Sequence, residues 1–491
     1  MPVNTKHKDY MNHIEKWKKC RTVAQGEESV KAAGTDYLPS LVEQSTLEYE
    51  TYKNRALFYG ATSRTVSGLL GAIFRKSPVI TPTKERVAIE LESVTPDHQS
   101  ARSFAAGIVL EVLTIGRIGV MIDAPQEEGG RPYLISYKAE SIINWKYENT
   151  GDGLVLSMVI LEEEYEAESE DEFECVMKVQ YRVLELVNNI YQQRVFRSKS
   201  EITKGGADLD FMEVPELSAI PKVSGAYLDH IPFIFINPVD LTGMIQDSPI
   251  LALVNVNLSH YRSSADLEHG RHFTGLPTAW VAGFEKTDAF RIGSQIAWVS
   301  EEPDASAVFL EFTGQGLQSL ENALKEKQEM MAVLGARMLE NEKKSVESGN
   351  ALATRYRGEN NVLSNVSKVC TDAFGILFTW LMEWRGVSAK VVYQLNSDFI
   401  NDKLTAQDIK ALMETWQAGA ISWDTLFFNY KRGEIYPEDV DMDIEQNNLE
   451  KEEQFDAGSF GAVDVDDEDI DEDIDADLDV DSKSKSNKKE E

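Results

Sequence analysis

Two long helical patterns, one ending and one beginning at the same short polar stretch, restrict the fold of this chain more than any other feature. The stretch is NEKKSVESGN, residues 341–350, which contains two lysines, two glutamates and a glycine. After it, apolar side chains recur at helical spacing as far as Trp384. At about 1.5 Å per residue, a helix from 350 to 384 is roughly 50 Å long. Such a helix is long for a globular protein, so the chain is predicted to contain an extended helical part.

The helical pattern before the polar stretch has two unlike faces. Residues 316–340 are predicted to form a helix whose apolar stripe is interrupted only by Lys327. The stripe consists of Leu317, Leu320, Leu324, Met331, Leu334 and Met338. The opposite side of the helical wheel carries Asn322, Glu326, Glu329 and Glu340. One side of this helix is therefore suited to packing, and the other is predicted to be polar and mostly acidic.

A second long helix is predicted upstream, over residues 248–273, with Ser248 as its N-cap and Pro249 in its first turn. Between the two helices, residues 274–315 contain short β patterns, including LPTAWVAGF and SAVFLEF. The sequence thus predicts a compact β insert between two helices of similar length.

The rest of the chain mixes helical and strand patterns. Residues 1–247 begin with helices and continue into a β-rich part at about 154–237. A strand is predicted near residue 390, and short helices are predicted over 402–456. The fold class expected from this order of elements is α+β.

Charge restricts the kinds of partner that the chain can bind. The formal net charge is -34; residues 464–491 hold 14 Asp or Glu and 4 Lys, so -10 belongs to this tail and -24 to the first 463 residues. Tight nucleic-acid binding needs many cationic side chains, so the balance argues against a dedicated DNA-binding domain. It does not argue against a surface that DNA only passes. Residues 457–491 are predicted to form a disordered acidic tail.

The sequence contains no motif of a known catalytic, metal or membrane site. Phosphate-loop, dinucleotide-binding, nucleophile-elbow and HExxH patterns are absent, and His269 with His272 lacks further ligands for a metal. The longest nearly apolar run, AFGILFTWLMEW, is shorter than the roughly 18 residues that span a bilayer. Three widely separated cysteines fit a reducing compartment. We therefore expect a cytosolic protein that is not an enzyme, with no cofactor, no metal and no membrane partner.

Three segments together resemble one protein family. They are GEESVKAAGTDYLPSL, YETYKNRALFYGATSRTVSGLLGAIFRKSP and SGNALATRYRGENN, and the likeness extends over roughly residues 8–455. With the order helix, β insert, helix, polar loop and long helix, the sequence resembles the portal proteins of tailed bacteriophages. The resemblance implies a ring, usually of twelve subunits, at one capsid vertex, through which a motor drives double-stranded DNA.

The resemblance also implies a division into parts. Residues 1–247 form the wing, together with residues 351–401, which hold the long helix and a wing strand. Residues 248–273 and 316–340 are the two stem helices, 274–315 the clip, 341–350 the tunnel loop and 402–456 the crown. The implied partners are the terminase large subunit, head-completion or tail adaptor proteins, and the major capsid and scaffolding proteins. The implied location is the virion, with assembly in the host cytoplasm.

Individual site residues follow from this division. The tunnel loop places Lys343, Lys344, Ser345 and Ser348 near DNA, with Gly349 as a hinge. An alternative for the lysines is that they are solvated and balance Glu342 and Glu347. The channel lining is predicted to contain Asn322, Glu326, Glu329 and Glu340.

Trp280 and Trp298 are predicted contacts of the clip, with burial in the interior of the insert as the alternative. Two other functions stay open at this point. One is a virion structural or adaptor protein of unrelated fold, in which the two stem helices would not pair. The other is an enzyme that lacks familiar motifs.

Overall fold

The computed structural model describes most of the chain in two compact units, Met1–Ile400 and Asn401–Glu491. The described residues are 2–125, 130–151, 153–167, 171, 173–199, 210–275, 278–283, 298–299, 302–310, 315–336, 349–397, 399, 406–432, 435–436 and 445. Within the longest helix, the described side chains begin at Val362.

The first unit contains helices in several parts of the sequence. They are α1 (Lys8–Gln25), α2 (Glu27–Ala32), α3 (Thr46–Arg55), α4 (Ala61–Ile73), α5 (Glu85–Leu91), α6 (Ala101–Ile115), α7 (Leu251–Gly275), α8 (Gln315–Ala336) and α9 (Gly349–Trp384). The chain signals several of these ends locally. Ser45 and Glu48 form a capping box at α3, and Ser100 caps α6. Gly116 ends α6 in the left-handed conformation at φ 84°, as a glycine after a helix commonly does.

The strands of the first unit form antiparallel sheets. They are β1 (Val79–Thr81), β2 (Ile118–Asp123), β3 (Tyr133–Lys138), β4 (Ile142–Thr150), β5 (Gly153–Ala167), β6 (Val176–Val187), β7 (Ile190–Ser198), β8 (Phe211–Glu213), β9 (Lys222–Val223), β10 (Ala226–Tyr227), β11 (Phe233–Ile236), β12 (Thr278–Ala282), β13 (Ser306–Leu310) and β14 (Val392–Gln394). One sheet has the order β11-β2-β3, and a larger one has the order β4-β5-β6-β7-β8. The mixed helix and sheet content agrees with the predicted α+β class.

The long helix α9 is buried along its C-terminal part. Leu363, Val366, Phe374 and Leu377 are at most 2% exposed, and they pack in one core with residues of α6 and β2. The strand that follows α9, β14, pairs with β1, in a register that places Tyr393 opposite Ile80. Two segments more than 300 residues apart in the sequence therefore meet beside the long helix.

A buried arginine fastens the segment that leads into α7. Arg117 is 1% exposed, and its Nη1 donates a hydrogen bond to the Gly243 carbonyl at 2.8 Å. Its guanidinium lies over the rings of Trp145 and Phe235, at 4.1 and 4.4 Å from their centroids. Burial lowers the pKa of Arg117 to about 9. The entry to α7 is thus tied to the sheets by a side chain far away in the sequence.

The helix predicted to begin at Ser248 begins three residues later, at Leu251. Ser248 instead directs its hydroxyl to the Thr114 carbonyl, at 2.7 Å, while its own Oγ accepts from the Ile250 amide at 3.2 Å. The serine therefore joins the start of α7 to the end of α6 in addition to receiving a local hydrogen bond.

The second unit contains two described helices, α10 (Ala406–Gln417) and α11 (Trp423–Arg432). Their connection is closed by Trp416 and Trp423, whose ring centroids are 5.6 Å apart. The predicted acidic tail, residues 457–491, lies outside the described residues. In the described parts of the chain, no helix is both long and apolar enough to cross a lipid bilayer.

Candidate functional site

The helices α7 and α8 pack against each other, and the strands β12 and β13 lie between them in the sequence. On α8, Leu324 and Met331 are buried, at 9% and 2% exposure. A Cβ atom added to Gly270 of α7 would lie 2.5 Å from Cδ2 of Leu317, which shows how closely the helices approach there. The described part of the apolar stripe predicted from the sequence therefore lies in the seam between the two helices, and Met338 lies outside the described residues.

Lys327, the polar interruption of that stripe, bonds across the seam. Its Nζ donates to the Ser259 carbonyl at 3.2 Å and to Ser263 Oγ at 2.5 Å. Burial lowers the pKa of Lys327, and the charge of Asp266 opposes this shift. The lysine thus satisfies its donors on the partner helix, which explains why a charge is tolerated in the seam.

A second polar contact lies beside Lys327. Gln328 Nε2 is 3.1 Å from Nε2 of His260, which is 2% exposed. Because the amide nitrogen can only donate, the imidazole nitrogen must accept, and this requires the neutral ring. Burial lowers the pKa of His260, and the charge of Lys327 lowers it further.

At the end nearest the β insert, an ion pair joins α7 to α8. Arg271 of α7 reaches Glu268 at 2.8 Å and Glu321 of α8 at 2.9 Å. These side chains are a third to a half exposed, so the pair contributes about 1 kcal/mol or less to stability.

The predicted channel-lining residues lie on the outer face of α8. Asn322, Glu326 and Glu329 are all exposed, and Asn322 Oδ1 accepts a hydrogen bond from Gln318 at 3.2 Å. Among the described residues, no cation forms an ion pair with Glu326 or Glu329. Glu340 lies outside the described residues.

The same outer face becomes apolar toward the end of α8. Met330 is 51% exposed and Val333 is 42% exposed. The sequence prediction of a mostly acidic face omitted both side chains, although the wheel places Val333 between Glu326 and Glu329 in angle. The outer face of α8 therefore has an acidic part followed by an apolar part.

The N-terminal helical region holds α7 on its other side. Asn257 Nδ2 donates to Thr62 Oγ1 at 2.9 Å, and the Leu57 amide donates to Ser264 Oγ at 3.2 Å. The Tyr52 hydroxyl donates to Asp266 at 2.6 Å. These bonds attach the helix pair to α3 and α4 and leave the outer face of α8 accessible in the single chain.

The β insert is a two-stranded antiparallel sheet in its described part. Trp280 pairs in register with Val308, and the two side chains are 48% and 50% exposed. Trp280 is therefore not a buried core aromatic, which was the alternative to a contact role. Trp298 is half-buried.

The predicted tunnel loop is only marginally described. Lys343, Lys344, Ser345 and Ser348 lie outside the described residues. Gly349, the predicted hinge, is the first residue of α9. The assignment of these residues to DNA contact stays a prediction.

In family comparisons, residues 249–385 match a family described as Domain of unknown function (DUF4055). The matched stretch starts just before α7 and ends just after α9, so it contains both seam helices, the β insert and the long helix. No curated protein matches the chain in sequence.

Several solved structures are similar at low identity. One is the virion of a native gene transfer agent (GTA) particle, with 13% identity, a TM-score of 0.35, and coverage of 80% of this chain and 95% of that chain. Another is the neck of an empty GTA particle computed with C6 symmetry, with 12% identity, a TM-score of 0.37, and coverage of 74% and 87%. A third is the neck of a native GTA particle computed with C12 symmetry, with 12% identity, a TM-score of 0.35, and coverage of 74% and 88%. These solved structures are components of phage-like particles.

Proposed function

We propose that this chain is the subunit of a portal ring at a capsid vertex, which conducts double-stranded DNA during packaging and ejection. The observation that carries the proposal is that α7 packs against α8. The two-stranded β insert connects these helices in the sequence, and the long helix α9 follows them. A virion protein of unrelated fold would not require this pairing. Lys327, Gln328 and Arg271 all bond across the seam, so the pairing depends on specific contacts as well as apolar burial.

The outer face of α8 has the charge that a DNA conduit needs. Glu326 and Glu329 are exposed and carry no ion pair among the described residues. Repeated around a ring, they present a negative wall, and like charge keeps the phosphate backbone from adhering. Screening limits this repulsion to about 8 Å at physiological salt, so DNA is repelled only near the wall.

The apolar end of the same face supports assembly of the ring. Met330 and Val333 are exposed in the single chain and follow the acidic part along α8. In a ring of identical subunits, each subunit contacts its neighbour through two different surface patches. The ring closes when the rotation from one subunit to the next divides a full turn evenly. We infer that α8 is inclined in the ring, so that its acidic part faces the bore while Met330 and Val333, farther along the same face, are covered by the adjacent subunit.

The β insert is the proposed docking end. Trp280 and Val308 are exposed on adjacent strands, and exposed aromatic side chains are enriched at protein interfaces. The proposed partners there are the terminase large subunit during packaging and tail adaptors afterwards. The proposed role is structural, and ATP hydrolysis belongs to the separate motor.

Electron microscopy of the purified full-length protein tests the ring. We expect closed rings with a central hole, and we expect Val333→Glu to reduce the fraction of rings because it places a charge in the subunit contact. Val42→Glu is the matched control, since Val42 is 94% exposed and lies outside α8. A strictly monomeric protein at all concentrations would contradict the proposal.

A further inference from the structure

A groove of about 560 Å³ lies on the sheet side of the first unit, away from the helix pair. One wall is a face of β6 and β7, and the other consists of residues near the end of β2 and in the segment 217–224. We call it the cationic groove, because its charged lining residues are Asp123, Arg182, Arg197 and Lys222.

The alternation of the strands brings the floor residues together. Arg182 on β6 lies opposite Val195 on β7, so Gln180 and Arg197, each two positions away, project from the same face. Backbone hydrogen bonds of 2.9 Å in both directions between Gln193 and Ala219 hold the second wall against this face. The groove is therefore built by ordered backbone.

Arg182 is neutralised inside the fold. Its Nη1 donates to Asp123 at 2.8 Å, and its Nε donates to Glu163 at 2.8 Å. With two carboxylates on one guanidinium, this side chain has no charge left for a ligand.

Arg197 differs from Arg182 because it lacks a carboxylate. Its Nε donates to Gln180 Oε1 at 3.0 Å, and Gln180 is itself held by Glu163 at 2.8 Å. The guanidinium lies 3.7 Å from the ring centroid of Tyr165. Among the described residues, no Asp or Glu forms an ion pair with Arg197. The side chain is therefore oriented in advance, with its two Nη groups still available.

Lys222 contributes a second cation from the opposite wall. It is exposed, and its Nζ lies 4.4 Å from the ring centroid of Tyr227. As with Arg197, none of the described carboxylates forms an ion pair with it. Val195, Leu217, Val223 and Trp384 give the groove an apolar lining beside the two cations.

We propose that the cationic groove binds an acidic peptide segment of a partner protein, with one carboxylate held by Arg197 and a second one near Lys222. An oriented guanidinium offers two parallel N–H donors to a carboxylate, which is the strongest hydrogen-bonding geometry available to these groups. The apolar lining fits the aliphatic parts of such a peptide.

Nucleic acid fits the groove less well. Binding to a phosphate backbone relies on many cations in a row, whereas this groove offers two, Arg197 and Lys222. The proposal goes beyond the conduit function and does not depend on ring formation, because every residue that it uses belongs to one subunit.

Fluorescence anisotropy with the full-length protein tests the proposal. The probe is a short fluorescein-labelled peptide of alternating glutamate and glycine, and the control probe has glutamine in place of glutamate. We expect salt-sensitive binding of the glutamate peptide alone. The variant Arg197→Gln with Lys222→Gln should raise the dissociation constant at least about tenfold, which corresponds to about 1.4 kcal/mol.

The matched control is Lys138→Gln with Lys146→Gln, which changes the net charge equally. Both lysines are exposed on strands and neither lines the groove. Thermal melting is measured for every variant to establish that it folds. Equal weakening by both double variants, binding of both peptides alike, or tighter binding of a single-stranded oligonucleotide than of the glutamate peptide would overturn the proposal.

Discussion

Arg385, directly after the long helix, allows a quantitative test of how that helix is anchored. Its side chain is 4% exposed and donates to three carbonyls, those of Pro132 at 2.7 Å, Glu90 at 2.8 Å and Ser93 at 3.0 Å. It also contacts the Glu90 carboxylate at 3.1 Å. The same carboxylate is held by Arg131 at 2.9 Å, but Arg131 is 47% exposed.

Substitution of Arg385 by methionine removes all four contacts at once while preserving an apolar stem. Removal of one partner from a buried ion pair costs about 3–5 kcal/mol. Here the three carbonyls lose their donor, and the Glu90 carboxylate keeps only the half-exposed Arg131. Loss of the exposed bridge in Arg131→Met costs about 1 kcal/mol or less. Each variant thus removes one guanidinium from the Glu90 carboxylate. The two guanidiniums differ in how deeply they are buried.

Differential scanning calorimetry measures the difference. The unfolding entropy is about 2.1 cal/mol/K per residue, so Tm of the unit Met1–Ile400 falls by about 1.2 °C for each kcal/mol of stability lost. We expect Tm to fall by about 4–6 °C in Arg385→Met and by about 1 °C or less in Arg131→Met. Equal falls in the two variants, or no fall in either, would refute the reasoning that burial sets the cost.

Two further predictions concern the helix pair and the loop that follows it. Lys343→Glu with Lys344→Glu should leave ring assembly intact and shorten the packaged DNA, because the proposed weak contact with phosphate becomes repulsive; packaged length is read by gel electrophoresis of DNA from particles. His260→Gln should make thermal stability less sensitive to acid. The folded-state pKa of His260 is below its unfolded value of about 6.5. The neutral ring therefore contributes its full stabilisation above the unfolded-state pKa, and this stabilisation is lost as pH falls through the folded-state pKa.

Each of these predictions has its own control. For the lysine pair, Lys343→Arg with Lys344→Arg keeps the charge and should package normal lengths; normal packaging by the double glutamate variant would contradict the DNA contact. For His260, the fall in Tm between pH 7.5 and pH 5.5 is compared in wild type and variant. Identical falls would show that His260 does not titrate in the seam.

Local sequence patterns were enough to predict most of the helices. The long helix was expected over 350–384 and spans Gly349–Trp384. The helix expected over 248–273 is present as α7, Leu251–Gly275, and the described part of the one expected over 316–340 is α8, Gln315–Ala336. These predictions succeeded because apolar spacing is a property of neighbouring residues.

Helix starts and single exposures were predicted less well. Ser248 was expected to cap α7, and its Oγ does accept from the Ile250 amide, but its hydroxyl also donates to the Thr114 carbonyl of another helix, and α7 begins at Leu251. For Trp280 the sequence left a clip contact and burial both open, and only the structure shows that the side chain is about half exposed. Both outcomes depend on which distant segment is adjacent in space, and a local pattern does not contain that information.

The features of the candidate site also fall into those that the sequence predicts and those that need the structure. The apolar stripe and the acidic side of α8 follow from helical periodicity alone. The partners of Lys327, which lie on α7 more than 60 residues away, do not. Without those partners, the lysine is only an interruption of the stripe.

The sequence by itself determined where the chain forms helices and strands, which helical faces are apolar, and how negative charge is distributed, because each is a property of residue type and spacing. Only the tertiary structure decided that Arg182 is neutralised while Arg197 is not, and that Arg385 is buried while Arg131 is exposed. The four side chains are alike in the sequence. Their differences arise from desolvation and from the carboxylates nearby, and these are set by strand register and by contacts between distant segments.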